Sequence, residues 1–474
     1  MSDRGEDWSG RRLHFVAIGG AGMSGLALVC RSLGAEVTGS DRAESSYMER
    51  LRAVGLEPNL GHAASQVPED AEIVISTAIP EDNPELRVAH ERGQRLLHRG
   101  QLLAELCSLR RLLAVAGTHG KTTTAAMCVH ALRAIGADPC FFVGGELAGA
   151  GPGGERANAG WGRGDWVVAE ADESDASFLE LRPEVAVITN LELDHHSRWS
   201  SLEQLREAFG RFSEPASAVA IGSGTGVPTA GQGQQRRLVF GLEDELEGGA
   251  ALVASELRAE PDGGTRFRAI GPLGPEGVEG ELTVRLPVPG RHNVLNALAA
   301  LAGLAMSDAD PEAAAQALRS FSGVARRLEL KGERNGARIY DDYAHHPTEV
   351  AAVLAAAREL RPRRLVAVFQ PHLYSRTKAL ATEFGAALAE ADEIAVLEVY
   401  PAREEPVGPL AGISARMVAA AAAERAGGRR VWWLPDAAQA AAALPPRLGE
   451  GDVLLTIGAG DIFKLAEQLV KDGG

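Results

Sequence analysis

The sequence predicts an α/β protein of three domains in series, and three observations carry that prediction. Short apolar runs alternate with helical patterns along most of the chain, two glycine-rich turns each follow such a run and open a helix, and the 474 residues suffice for about three domains at roughly 150 residues each. Strands alternating with helices imply parallel sheets covered on both faces. The first domain, residues 1–110, opens with the apolar run Leu13 to Ile18, a glycine turn and a helical pattern from Ser24 to Leu33. Ala35 to Gly39 and Glu72 to Ser76 read as its further strands. The second domain, 111–324, starts with the strand Arg111 to Ala116 and continues with Trp166 to Ala169 and Val185 to Thr189. Between about Gly222 and Gly280 the composition shifts to glycine, glutamate and short alternating stretches, continued by Thr283 to Val288, which read as antiparallel strands on one edge of a mixed sheet. A helix from Asn293 to Ala305 closes this domain. The third domain, 325–474, places strands at Arg338 to Tyr340, Leu365 to Phe369, Ile394 to Val399, Val431 to Leu434 and Val453 to Ile457, and a tightly packed helix over the alanine-rich run Ala351 to Ala357.

Composition narrows the class of function. A formal net charge of −16 argues against a nucleic-acid partner, because a phosphate backbone rewards a basic surface. An anionic substrate must instead meet a local cationic site. The polar start of the chain, Met1 to Arg12, has no apolar signal-peptide core, and no apolar run is long enough to cross a bilayer, so a cytoplasmic protein with no membrane partner is expected. Cys30, Cys107, Cys128 and Cys140 show no CxxC pairing and sit in apolar surroundings, as buried reduced thiols do.

The motifs lie at the ends of the predicted strands. Gly20-Ala21-Gly22-Met23-Ser24-Gly25 fits G-x-G-x-x-G, a pattern whose glycines let the backbone approach a pyrophosphate while the helix N-terminus offers N–H groups to it. This makes the first domain Rossmann-like. Asp41 at the end of the second strand is placed to meet a ribose hydroxyl, and Ser76 ends a later strand. The fingerprint does not distinguish a dinucleotide from a nucleotide-sugar, and a tight turn with no ligand is the lesser, competing reading. Gly117-Thr118-His119-Gly120-Lys121-Thr122-Thr123 follows a strand and precedes a helix, as in a P-loop-type ATPase domain. Backbone N–H groups there cradle phosphate, Lys121 neutralises the β/γ charge and the Thr122 hydroxyl can bind Mg²⁺. The loop departs from strict Walker spacing, since Val115 stands where the first glycine would be.

Two acidic stretches, Glu170 to Asp175 and Asn190 to His196, end adjacent strands of the same domain, where α/β sheets bind ligands. Either alone is most simply a solvated surface; beside a phosphate loop their hard oxygens suit Mg²⁺. Further strand-end loops are Arg291-His292-Asn293, Asp341 to Pro347, Gln370 to Arg376 and Gly458 to Asp461. Seven of the 12 histidines (119, 195, 196, 292, 345, 346 and 372) fall in such loops, a concentration that core packing does not explain.

In this order, over about residues 13 to 465, these motifs resemble the Mur ligases; the most diagnostic pieces are Gly19 to Gly25, Gly117 to Thr124, Glu170 to Ser177, Gly290 to Asn296 and Asp341 to Glu349. The resemblance implies a Rossmann-like UDP-sugar-binding domain, a central ATPase domain and a Rossmann-like C-terminal domain that closes over both. The expected activity is ATP-dependent ligation of L-alanine to the lactyl carboxylate of UDP-N-acetylmuramate, with Mg²⁺, in a monomer or homodimer. A ligase that returns a tripeptide to the same sugar nucleotide is the nearest alternative; an NAD-dependent oxidoreductase would not need the phosphate loop or the pair Glu170 and His195. Carried over residue by residue, Gly20, Ala21, Gly22, Met23, Ser24, Asp41 and Ser76 meet the UDP-sugar. Gly117 to Thr123, His292, Asn293 and Arg327 meet ATP, while Thr122, Glu170 and His195 hold metal. Lys121, His195, His345 and Arg376 are the expected catalytic residues, with a hinge near Gly323 to Arg326. Leu373 stands where the family often has arginine, and Leu193-Asp194-His195-His196 differs slightly from the usual metal loop.

Overall fold

The computed structural model describes residues 7–151, 154–194, 198–228, 235–246, 251–273 and 279–471. Each predicted domain has its own sheet. In the first, β1 (Arg12–Val16), β2 (Glu36–Asp41), β3 (Asn59–Leu60), β4 (Glu72–Ile75) and β5 (Leu96–His98) stand in the order β3-β2-β1-β4-β5, all parallel. Leu13, Phe15 and Val16 are buried on both faces of β1, which is why the strand reads as a continuous apolar run rather than an alternating one. The strand order reverses between β1 and β4, and the glycine loop leaves β1 at that switch point, where open α/β sheets form their ligand crevice.

The second sheet contains β6 (Arg111–Ala116), β7 (Cys140–Leu147), β8 (Ala157–Gly160), β9 (Trp166–Glu170), β10 (Val185–Ile188), β11 (Ala218–Gly222), β12 (Arg236–Leu242), β13 (Ala251–Ala259), β14 (Thr265–Pro272) and β15 (Glu279–Leu286). Its order is β15-β14-β13-β12-β11-β10-β6-β9-β7-β8. The phosphate-loop strand β6 is central, flanked in parallel by β9 and β10, so three strand-end loops converge at one edge. The sheet is mixed because β8 pairs antiparallel with β7. One expectation is corrected: β12 and β13 add in parallel to β11 and to each other rather than antiparallel. Alternation of apolar and polar residues reports one-sided burial and carries no information about strand direction.

The third sheet, β16 (Glu329–Arg334), β17 (Ala337–Asp342), β18 (Arg364–Phe369), β19 (Glu393–Val396), β20 (Arg430–Trp433) and β21 (Asp452–Ile457), runs β16-β17-β21-β18-β19-β20, antiparallel only at β16. The helix Pro347–Glu359 covers the alanine-rich run, with Ala356 and Ala357 fully buried.

Three sheets make two compact units. Met1–Leu257, Phe267–Arg285 and Leu295–Phe321 form the first, and Arg258–Arg266, Leu286–Val294 and Ser322–Gly474 the second. Within the first unit one hydrophobic cluster extends from Trp8 and Phe15 through Leu112 and Phe142 to Ile221, so the first two sheets share a core. The second unit's last segment begins beside the hinge expected near Gly323. All four cysteines are free and buried, as expected. Among the described residues no helix is long and apolar enough to cross a membrane.

Candidate active site

The phosphate loop joins β6 to the helix Lys121–Ala134. Its two glycines are required by the backbone. Gly117 has φ +132° and Gly120 φ +81°, conformations that cost an L-residue about 1–2 kcal/mol. A Cβ on Gly117 would stand 2.0 Å from Thr189 Oγ1, and one on Gly120 2.2 Å from Asn296 Oδ1. The loop is tied to the end of β10. The Thr118 N–H donates to Asn190 O (3.1 Å), and the His119 N–H to Asn190 Oδ1 (2.9 Å). Thr118 Oγ1 donates to Glu192 O (2.9 Å), and His119 Nε2 lies 2.9 Å from Glu192 Oε2. Thr123 turns into the interior at 8% exposure.

Lys121 Nζ donates to Gly117 O (2.7 Å), Thr118 O (3.1 Å) and Glu173 Oε2 (2.8 Å). Burial alone would lower the lysine pKa, but the carboxylates of Glu173, Asp172 and Glu170 outweigh it and hold the ammonium protonated. Burial, opposed by Lys121, pushes Glu173 up to about 7. Thr122 Oγ1 donates to Glu170 Oε1 at 3.0 Å, and Glu170 Oε2 accepts from the Gly144 N–H at 2.6 Å. A hydroxyl and a carboxylate in contact, beside a phosphate loop, are the hard oxygen donors that Mg²⁺ takes together with phosphate oxygens and water, so the residues present fit the ion. The acidic loop is anchored below: Trp199 Nε1 donates to Glu173 O (3.1 Å), and Phe178 packs on Phe209 and Phe212 with ring centroids 5.2 and 5.3 Å apart. His195 and His196 lie outside the described residues.

The glycine loop after β1 opens the helix Ala21–Ser32, whose N-cap Gly20 has no side-chain cap. Asp41 supports this loop, accepting from the Gly19 N–H (2.9 Å) and the Ala43 N–H (3.3 Å). Ser24 is buried and donates to Ala21 O (3.0 Å), while Met23 joins the core. The side chains of these two therefore hold the loop. Gly20 and Gly22 are exposed in this loop and Ala21 is partly exposed. Ser76 directly follows β4 on the same sheet edge and accepts from the Ala78 N–H at 3.4 Å. Asn158 of β8 donates to Ala21 O (2.8 Å), tying the loop to the second sheet.

The remaining predicted residues belong to the second unit. His292 and Asn293 begin the helix Arg291–Met306, and Asn293 Nδ2 donates to Pro289 O (2.7 Å). Burial, then the positive charge of Arg327, pushes His292 down to about 4, so its ring is neutral at physiological pH and suits an uncharged base. The Arg327 guanidinium lies 5.4 Å from the Tyr343 ring centroid. His345 stands 5.5 Å from Tyr343 and 6.3 Å from His372 between ring centroids, and Arg376 Nη1 is 3.3 Å from His372 Nδ1. His346 is the N-cap of the helix Pro347–Glu359, in a capping box with Glu349, which gives it a structural task and leaves His345 as the ring beside Tyr343 and His372.

Because the folded-state pKa of His292 lies below its unfolded value of about 6.5, it contributes stability fully present above pH 6.5 and lost as pH falls through about 4. Thermal melts of wild type and His292→Gln should therefore diverge on going from pH 7 to pH 4.5, the wild type losing more. Parallel pH profiles would remove His292 from this role.

Reasoning from the sequence did not single out Thr189 or Gly144, and gave no role to Asn296 within the Gly290 to Asn296 piece. Asn190 sat inside a quoted motif without a role; the others carry no local pattern and become visible only through partners distant in sequence.

Three family models cover the chain: residues 12–111 match the Mur ligase family, catalytic domain; 115–304 the Mur ligase middle domain; and 326–460 the Mur ligase, glutamate ligase domain. The chain is 43% identical to a UDP-N-acetylmuramate–L-alanine ligase of Renibacterium salmoninarum, over 95% of this chain and 93% of the relative. It is 44% identical to that of Rubrobacter xylanophilus, over 97% and 99%. The crystal structure of the UDP-N-acetylmuramate-alanine ligase of Thermotoga maritima is similar with a TM-score of 0.80 at 29% identity, covering 97% of this chain and 98% of that one.

Proposed function

We propose the function from one premise: the chain belongs to the Mur ligase family. It is an ATP-dependent ligase that joins L-alanine to UDP-N-acetylmuramate in the making of peptidoglycan precursors; its relatives are named for the joining of these two substrates. The tripeptide-adding alternative is less supported, since these relatives match nearly end to end and are named for L-alanine. The observation that carries the reading into the site is Lys121, a largely buried, protonated lysine closed over a phosphate loop and facing Glu173, with the Thr122–Glu170 pair beside it.

The domains are assigned as 1–110 for the sugar nucleotide, 111–324 for ATP and 325–474 for the amino acid and closure. A carboxylate resists attack by an amine because oxide is a poor leaving group. Transfer of the γ-phosphoryl group to the lactyl carboxylate oxygen, with release of ADP, makes an acyl phosphate. The L-alanine amine then attacks the acyl carbon, phosphate leaves, and the new amide nitrogen loses its proton. The backbone of Gly117 to Thr123 holds the phosphates and Lys121 stabilises charge on the group in transfer. Thr122 and Glu170, with His195, are assigned to Mg²⁺, which supplies positive charge to the phosphate oxygens when bound. His292, Asn293 and Arg327 are assigned to the nucleotide, and His345 and Arg376 to the reacting groups, on their family positions. Substrates of the nucleotide pool support a cytoplasmic site of action.

Phosphate release should require ATP, UDP-N-acetylmuramate and L-alanine together, with the product one alanine residue heavier by mass spectrometry. Release that persists without L-alanine, or a product carrying a tripeptide, would overturn the assignment.

A further inference from the structure

Arg326 has no part in the chemistry so far, yet it ties together the strand-end loops that begin at Asp341 and Gly458. Its Nε donates to Asp341 Oδ2 (3.0 Å) on β17, and its Nη2 to Gly458 O (2.6 Å) directly after β21. Asp341 is fully buried and also accepts from Thr456 Oγ1 (2.6 Å). The guanidinium lies 4.9 Å from the Tyr343 ring centroid and 4.7 Å from that of Phe463, so two aromatic rings hold the cation.

The backbone is held as firmly. Arg326 and Leu328 both have positive φ, +59° and +46°, a region that residues with a Cβ avoid. Each is kept there by hydrogen bonds. The Arg326 N–H donates to Glu329 Oε2 (2.9 Å), the Tyr343 N–H to Arg326 O (2.8 Å) and the Leu328 N–H to Asp342 Oδ2 (2.7 Å). Non-glycine residues persist in such conformations only where the surroundings over-determine them, and they gather at functional sites. Between these two stands Arg327. Its guanidinium lies 5.4 Å from the same Tyr343 ring, and its charge is felt by His292 and Asp342.

We propose that Arg326 is a positioning residue for ATP binding: by locking segment 326–328 and the Tyr343 ring, it fixes the direction in which Arg327 leaves the chain. This rests on Arg327 meeting the nucleotide. An arginine loses side-chain freedom when it binds, and one whose backbone and stacking ring are set beforehand loses less. Arg326 acts through its neighbour, since its own Nε and Nη2 are engaged by Asp341 and Gly458.

The test is a double-mutant cycle on the full chain, with turnover read against ATP at saturating UDP-N-acetylmuramate, L-alanine and Mg²⁺. Arg327→Ala should raise KM for ATP about tenfold to a hundredfold, the worth of a charge-assisted hydrogen bond. Arg326→Ala should raise it about tenfold with kcat within about threefold of wild type, the split that marks lost uniform binding. In the Arg327→Ala background the same substitution should change KM by less than about twofold, because the residue it directs is gone. Arg326→Lys keeps a cation beside Asp341 and spares the fold an unpaired buried carboxylate. An ammonium lacks the planar fork that serves Asp341 and Gly458 O together, so KM should still rise severalfold. Where alanine leaves too little folded protein, the same cycle with Arg326→Lys decides. Effects that multiply in the double variant overturn the proposal. So does a fall in kcat with wild-type KM, which would make Arg326 a brace of the fold only, and so does wild-type KM in Arg326→Lys. Wild-type KM in Arg327→Ala would instead remove the nucleotide reading of Arg327 on which the proposal stands.

Discussion

Replacing Lys121 by alanine should cut turnover by about 10²–10³-fold or more, the loss that follows removal of one preorganised charge-stabilising donor, while UDP-N-acetylmuramate binds nearly as before. The reason is geometric. The ammonium sits among Gly117 O, Thr118 O and Glu173, where it can turn to phosphate oxygens without leaving the loop, whereas the glycine loop belongs to a different sheet. The substitution also strips Glu173 of its cation. Burial already lifts that carboxyl to about 7, so it answers by keeping a proton rather than by standing as an unpaired buried charge. The fold should therefore survive, which a melting curve and intact UDP binding would verify. Lys121→Arg separates charge from shape: the larger guanidinium cannot occupy the same three-acceptor cradle, and its turnover should also fall steeply. Turnover within tenfold of wild type in Lys121→Ala would take the phosphoryl-transfer role away from this loop.

How far the sequence carried depends on the range of each interaction. β1, β6 and β10 announce themselves because a parallel strand buried on both faces must be apolar along its whole length. The turns at Gly117 and Gly120 are legible because only glycine tolerates those φ values beside Thr189 and Asn296. What stays hidden is pairing across the chain. Nothing around Gly144 signals that its N–H will hold Glu170, and nothing around Arg99 signals Asp175, 76 residues away. The Cys140–Leu147 and Ala157–Gly160 pair was unread because its glycine-rich connection resembles a loop. Asp41 was assigned to a ribose on motif position; the structure adds that its carboxylate also fastens Gly19. The shared core of the first two sheets was equally unreadable, since apolar runs declare burial and not the neighbour that provides it.

Glu170 offers the second large effect, and a pair of variants separates its two tasks. One oxygen meets the Thr122 hydroxyl at 3.0 Å and the other accepts the Gly144 N–H at 2.6 Å, so the side chain is both a candidate metal ligand and a strut between β7 and β9. Glu170→Ala removes both; Glu170→Gln preserves size and an acceptor and loses the charge. If the carboxylate binds Mg²⁺, the two variants should behave alike. Each should need about 10–100-fold more Mg²⁺ for half-maximal turnover, the scale on which loss of groups around a metal is felt, and each should keep a lower rate at saturation because a hard anionic ligand is gone. If Glu170 is only a strut, Glu170→Gln should follow the wild-type Mg²⁺ curve while Glu170→Ala alone is impaired, with a lower melting temperature. Calorimetric titration of Mg²⁺ in the presence of a non-hydrolysable ATP analogue gives the same distinction without turnover: weaker binding in both variants supports the ligand role, and unchanged binding in Glu170→Gln would move the metal to Glu173 or to the loop that carries His195.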